Sequence, residues 1–360
     1  MEEILVRGAL MKTVKIADLK IGEGSPVFVV AELSANHCGS IETAINTIKA
    51  MKMAGADAVK LQTYTPNTMT IDCDNEYFQI KHGTIWDGRS LYDLYEEAYT
   101  PWEWHPILKK AAEELGLVFF TTPFDRTAVD FLETMNVPAY KIASLEITDL
   151  PLIEYIASKG KPVIISTGVA TLSDIAEAIE ACKRASNEQV IILKCTTEYP
   201  TPLEDVNIRT IPNMMETFNK VVGLSDHTLG ISVPIAAVSL GACMVEKHFI
   251  LSRDLGGPDA AFSLDPQEFS SMVKSIREVE KALGKVSYDL ATQTLKNREF
   301  CRSLFVVKDV KAGEIFTIEK VRSIRPGHGL EPKYLNSILG QKARQDIKRG
   351  TPLTWQLIEE

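Results

Sequence analysis

The sequence predicts an α/β fold: a (β/α)8 barrel followed by a small, mostly β domain. Three observations predict it. Eight short apolar runs recur through the first 250 residues. Helical patterns separate most of them, so the runs read as buried parallel strands. Nearly every run also stops at a polar or ionisable side chain, and the strand C-termini of such a barrel are where an active site is built.

The runs are VFVVAEL (27–33), AVKLQ (58–62), LVFFTTPF (117–124), AYKIAS (139–144), PVIIST (162–167), VIILKCT (190–196), VVGLSDH (221–227) and CMVEKHF (243–249). Before the first, residues 14–28 read as a hairpin that would close the barrel bottom. Helical patterns follow at 41–53, 106–115, 127–135, 151–158, 172–184, 231–240 and 266–283. In the last, apolar residues at 269, 272, 273, 276, 279 and 283 share one face. Thr171 and Ser173 are candidate caps for the helix after the fifth strand.

The connection between strands two and three, 63–116, is long and aromatic-rich. It is either an insertion packed on the rim or a partial lid over a substrate. The barrel pattern ends near Gly284, giving a barrel domain at 1–285, a polar linker at 286–299 and a small β domain at 300–360. In that domain, segment 324–332 (IRPGHGLEP) reads as a shaped, exposed loop.

Composition narrows the function classes. With 45% hydrophobic and 24% charged residues the chain is ordinary for a globular protein. A net charge of −9 speaks against a nucleic-acid partner. No stretch reaches the roughly 18–20 apolar residues of a membrane span. The N-terminus has no secretory pattern, and Met11 offers an alternative start. Six cysteines without CxxC spacing imply free thiols and a cytoplasmic location.

The strand-end residues are Glu32, Lys60, Gln62, Thr122, Lys141, Ser144, Ser166, Ser225, His227 and His248. His227 and His248 end adjacent strands, and alternation turns Ser225 and Glu246 inward with them. Two such imidazoles either hold a divalent ion with open positions for Lewis-acid chemistry or are satisfied core histidines. Lys60 and Lys141 interrupt apolar strands and so need partners, either Glu32, Glu146 or a ligand phosphate. Hydroxyls at Thr122, Ser144, Ser166, Thr197 and Ser225 surround the same face. Lys247 points the other way by alternation and is set aside with Lys194. No nucleotide-binding loop or nucleophile-elbow motif occurs.

In order, AELSANH (31–37), VKLQTY (59–64), TTPFD (121–125), YKIASLEI (140–147), ISTGVAT (165–171), KCTTEYPTP (194–202), GLSDHTLG (223–230), EKHF (246–249) and GGPD (256–259) resemble the sialic acid synthase family. The tail, from RSLFVVKDVKAGEIFT through IRPGHG, is similar to that family's antifreeze-like (SAF, β-clip) domain. The resemblance implies a TIM-barrel transferase that condenses phosphoenolpyruvate with an acetamido sugar. The segments AELSANH, KLQTYTPNTMT and EAYTPWEWH imply the branch that takes 2,4-diacetamido-2,4,6-trideoxy-L-altrose. Alternatives are a synthase acting on another acetamido sugar (giving N-acetylneuraminate or legionaminate) and a non-catalytic carbohydrate-binding protein.

By the same resemblance Lys60, Thr122, Lys141, Ser144, Ser166 and Ser225 hold phosphoenolpyruvate. Gln62, Glu146 and Thr197 join them as substrate-binding candidates, Thr197 standing where the sialic acid branch usually carries asparagine. His227 and His248 hold a manganese or magnesium ion, Tyr199 and Asp259 contact the sugar, and Glu32 handles a proton. Arg325 comes from the partner's small domain in a swapped homodimer, which a linker of some 15 residues would permit.

Overall fold

A strand covered on both faces needs apolar side chains at almost every position, and the eight runs supply them. In the computed structural model, which describes residues 13–81 and 83–359, all eight become strands. The segment holding Met11 lies outside the described residues. A hairpin, β1 (Thr13–Ile16) and β2 (Leu19–Gly22), comes first. The barrel strands are β3 (Phe28–Glu32), β4 (Ala58–Thr63), β5 (Val118–Pro123), β6 (Tyr140–Ile142), β7 (Val163–Ser166), β8 (Val190–Lys194), β9 (Val221–Asp226) and β10 (Met244–His248). They pair in chain order, and β10 pairs back with β3 to close the barrel.

Alternation sorts the side chains into an outer layer and an inner one. Outward residues such as Val29, Ala31, Val59, Leu61 and Phe119 pack under the helices. Inward residues at the lower end, including Phe28, Val30, Ala58, Phe120, Ile164, Ile191 and Met244, form a second core. Val14, Ile16 and Ile21 of the hairpin plug its bottom. Further up most of the strands the inward positions turn polar: Glu32, Lys60, Lys141, Ser166, Ser225, Glu246 and His248, all buried, while β8 stays apolar at Leu193. The register then levels them. Glu32 lies beside both His248 and Lys60, Gln62 beside Thr122, and Glu246 beside Ser225.

The helices Ile41–Met53, Leu172–Arg184 and Pro266–Leu283 have the predicted bounds, and those at His105–Glu114, Arg126–Thr134, Leu150–Ala157 and Ser232–Ser239 differ by a residue at each end. Thr171 caps its helix reciprocally with Asp174. The helix Thr210–Phe218 was not predicted. Pro212 and Asn213 disguise its start, yet a proline in the first turn sacrifices no intrahelical bond. The long connection carries further helices at Pro66–Met69 and Leu91–Ala98.

The chain divides after Gly284 into two compact units. In the second, β11 (Ser303–Val306) pairs antiparallel with β12 (Val321–Ile324). They build around Leu304, Val306, Val310, Phe316, Val321, Ile338 and Leu353. The segment expected as a plain linker is partly structured, with a helix at Thr292–Asn297 and a 3-10 turn at Arg298–Phe300.

Candidate active site

Every candidate from Glu32 to Asp259 lines one cavity of about 550 Å³ at the C-terminal mouth of the barrel. Arg325 lies in the second unit, exposed, just past β12.

At the floor is a buried charge network. Lys60 Nζ donates to Glu32 Oε1 at 2.6 Å, lies 3.4 Å from Glu246 Oε1, and reaches Thr122 Oγ1 at 3.4 Å. Lys141 Nζ donates to Ser166 Oγ at 2.7 Å and lies 3.7 Å from the same Glu246 oxygen. Ser225 Oγ donates to that oxygen at 3.1 Å, while Glu246 Oε2 is buried without a hydrogen-bond partner. Gln62 Nε2 bridges Glu32 Oε1 at 3.0 Å and Ser34 Oγ at 2.9 Å. Two lysines side by side, with hydroxyls around them, form a cradle for an anion.

Burial alone would raise the Glu32 carboxyl, but the Lys60 ammonium and His248, with hydrogen bonds from Lys60 and Gln62, hold it well below the ordinary carboxylate range. Burial pulls Lys60 down, yet Glu246 and Glu32 outweigh it and leave the lysine raised. For Lys141 burial prevails over Glu246 and lowers it. Glu146, buried with Oε2 unpaired and only partly offset by Lys141, is pushed up to about 7.

The two histidines face each other across the mouth, ring centroids 5.4 Å apart. His227 Nδ1 bonds to the Thr196 carbonyl at 2.9 Å, which leaves its Nε2 free of that bond. His248 Nε2 lies 3.4 Å from Glu32 Oε2, and its Nδ1 is 3.7 Å from Asp259 Oδ2, with no hydrogen-bond partner. Phe262 packs edge-on against both rings, and Tyr199 stacks at a tilt, 4.4 Å from His227. Ser144 Oγ accepts from Gly168 N at 3.0 Å, and Thr197 Oγ1 is buried without a partner. A side chain at Gly168 would collide with both hydroxyls.

Some lining residues escaped sequence reasoning. Cys195, read as a small hydrophobe, places its Sγ 3.8 Å from His227 Nδ1. Burial raises its thiol, but His227 brings it down to about 7. Inward alternation, two residues past Leu193, was the available signal. Tyr64, Ile80, Trp86, Leu94 and Tyr95 come from the long connection, which contributes part of the cavity lining. Lys247, set aside, turns outward and pairs with Asp226.

A model of the NeuB family matches residues 47–288, well over half of the chain. The chain belongs to the NeuB family. A SAF domain model matches residues 302–359. The chain is 48% identical over 327 residues to a pseudaminic acid synthase of Campylobacter jejuni, covering 91% of this chain and 95% of that one. It is 47% identical over 335 residues to a pseudaminic acid synthase of Helicobacter pylori, covering 93% and 98%. Among solved structures, an N-acetylneuraminic acid synthetase from Leptospira borgpetersenii superposes with a TM-score of 0.71 at 28% identity, over 80% of this chain and 95% of that one. NeuB-family membership and these likenesses make the chain an enzyme of the sialic acid synthase type. No described helix is long and apolar enough to cross a membrane.

Proposed function

We propose that this enzyme condenses phosphoenolpyruvate with 2,4-diacetamido-2,4,6-trideoxy-L-altrose and water to give pseudaminic acid and phosphate. The observation that carries the reading is the pairing of Lys60 and Lys141 with a carboxylate and two histidines in one cavity. The names of the Campylobacter and Helicobacter relatives support the choice of sugar.

Lys60, Lys141, Thr122, Ser144, Ser166 and Ser225 hold the phosphate and carboxylate of phosphoenolpyruvate, with Thr197 and Gln62 beside them. Carbon 3 of phosphoenolpyruvate attacks the aldehyde of the open-chain sugar, and positive character develops at carbon 2. Water adds there, and the tetrahedral intermediate expels phosphate by C–O cleavage. Glu32 is the base for that water or the partner of the aldehyde oxygen. Phosphate arriving at Lys60 draws the ammonium away from Glu32, which weakens the hold on its carboxylate and raises its basicity where it is needed. Tyr199, Glu146 and Asp259 contact the sugar.

Among the described residues, no three His, Cys, Asp or Glu side chains are already gathered as a metal cluster. The donor set nonetheless fits a cation that substrate completes, because His248 Nδ1 is buried without a hydrogen-bond partner and His227 is oriented through its other ring nitrogen. Manganese or magnesium held by His227 and His248 would supply Lewis-acid activation of the aldehyde.

Arg325 of the partner chain's SAF domain completes the sugar site in a swapped homodimer. All six cysteines are free, which suits a cytoplasmic location. Neither nucleic acid nor membrane is a partner in this reading. Phosphate release tests the proposal: it should require both phosphoenolpyruvate and an acetamido sugar. Sugar binding without phosphate release would instead favour a carbohydrate-binding protein.

A further inference from the structure

The chain leaves β3 through a backbone conformation that most side chains resist. Ser34, two residues past Glu32, has a φ of +46°, in the left-handed region where a Cβ crowds the following carbonyl oxygen. Of the non-glycine residues described in that region, Ser34 alone lines the active-site cavity. A glycine would adopt this turn without strain. The surroundings hold the turn all the same. Leu33 N donates to the Lys60 carbonyl and Asn36 N to the Leu33 carbonyl, both at 3.0 Å. Asn36 Nδ2 donates to the Phe249 carbonyl at 3.0 Å and to Ser263 Oγ at 2.8 Å. Strained residues over-determined in this way cluster at active sites.

The turn places one oxygen. Ser34 Oγ accepts from Gln62 Nε2 at 2.9 Å, and the same amide nitrogen donates to Glu32 Oε1 at 3.0 Å. A primary amide nitrogen carries two hydrogens, so both are engaged and the amide plane is fixed. Glu32 Oε1 takes a second bond from Lys60 at 2.6 Å. With Oε1 so occupied, Oε2 is the oxygen turned to the histidines, 3.4 Å from His248 Nε2. Without the Ser34 hydroxyl, one N–H of the half-buried Gln62 amide loses its acceptor, and the amide is free to turn away from the carboxylate.

We infer that Ser34 is a positioning residue: its hydroxyl, held by a strained turn, fixes the Gln62 amide so that Glu32 presents one defined oxygen to the reacting groups. The inference rests on the proposed function, in which Glu32 handles the proton.

The test measures phosphate release and thermal melting for the full chain and for Ser34→Ala, Ser34→Gly, Gln62→Ala and the double variant Ser34→Gly/Gln62→Ala. Alanine keeps the Cβ and its strain, glycine removes both, and each lacks the hydroxyl. Stability should follow the backbone, with Ser34→Gly melting above Ser34→Ala. Activity should follow the hydroxyl instead. Both variants should lose kcat by a similar factor, roughly 10–100-fold, as misplaced catalytic groups do. Their KM for phosphoenolpyruvate should hold, because Lys60 and Lys141 stay in place. In the double variant, Ser34→Gly should cost nothing beyond Gln62→Ala, because the hydroxyl acts through that amide. A kcat that tracks melting temperature, or two losses that multiply in the double variant, would overturn the inference. Near-normal kcat in both Ser34 variants alongside a disabled Glu32→Gln would overturn it alone. Near-normal kcat in Glu32→Gln would overturn the role of Glu32 and this inference with it.

Discussion

Glu32→Gln is the substitution whose consequences can be worked furthest from the structure. The amide keeps the size of the side chain and can still accept from Gln62, now at 3.0 Å from Oε1. What disappears is the negative charge 2.6 Å from Lys60. Orphaning a buried charge costs about 3–5 kcal/mol, but Lys60 keeps Glu246 at 3.4 Å, so a loss nearer 2 kcal/mol is expected. Calorimetry should register this as a melting temperature lower by roughly 3 °C in an enzyme that still folds. Activity should suffer far more. Losing a positioned proton acceptor lowers kcat by about 10²–10⁴, or roughly 3–5 kcal/mol of barrier. The KM for phosphoenolpyruvate should hold or fall, because Lys60 loses a competitor for the phosphate. Steady-state phosphate release with both substrates varied separates the two effects. A kcat near that of the unmodified enzyme, together with the lowered melting temperature, would show that Glu32 serves only as a counter-ion for Lys60.

Three other outcomes follow from the site. Chelation should abolish turnover and manganese or magnesium should restore it, while His227→Ala and His248→Ala lose activity with the fold retained by circular dichroism; full turnover under chelation would remove the metal from the account. Glu146 should make the ligand-free protein less stable as pH rises. Its folded carboxyl sits at about 7 against an ordinary 4.5, so the folded state binds the proton more tightly and stability drains away between those values. Glu146→Gln should therefore gain up to about 3 kcal/mol over the unmodified protein at pH 8 and nothing at pH 4, read from urea midpoints; an equal gain at both would refute burial as the cause. Mixing Arg325→Ala chains with His248→Ala chains should restore partial activity if the arginine acts across a swapped dimer, since one site per mixed dimer is then complete. No rescue between two inactive parents would place Arg325 in its own chain's site, and an active Arg325→Ala parent would place it outside any site.

The barrel could be read from the sequence because each strand carries two signals at once. Val29 and Val59 mark the outer face, while Glu32 and Lys60 break the inner face where a bland core would have continued. The same alternation explains why Lys247 was rightly separated from His248, and why Cys195 should have been grouped with Ser225 and not with the hydrophobes. Pairings across strands were harder to foresee. Nothing in the spacing says that a single Glu246 oxygen serves Lys60, Lys141 and Ser225 together, because that depends on the barrel's register. The cavity-facing rings Tyr64, Trp86 and Tyr95 were hidden for a different reason: a connection of 54 residues without periodicity gives no clue to which of its aromatic rings faces the cavity. Helix Thr210–Phe218 was missed through an early proline whose first-turn position makes it harmless.

The central claim is the identity of the product. The enzyme, supplied with phosphoenolpyruvate and manganese, should be offered 2,4-diacetamido-2,4,6-trideoxy-L-altrose, N-acetylmannosamine and the sugar precursor of legionaminic acid in separate reactions, and each product weighed by mass spectrometry against phosphate released. The account predicts stoichiometric phosphate and a nine-carbon diacetamido acid from the altrose sugar, formed far faster than any product of the others. Efficient conversion of N-acetylmannosamine with the altrose sugar left untouched would contradict it.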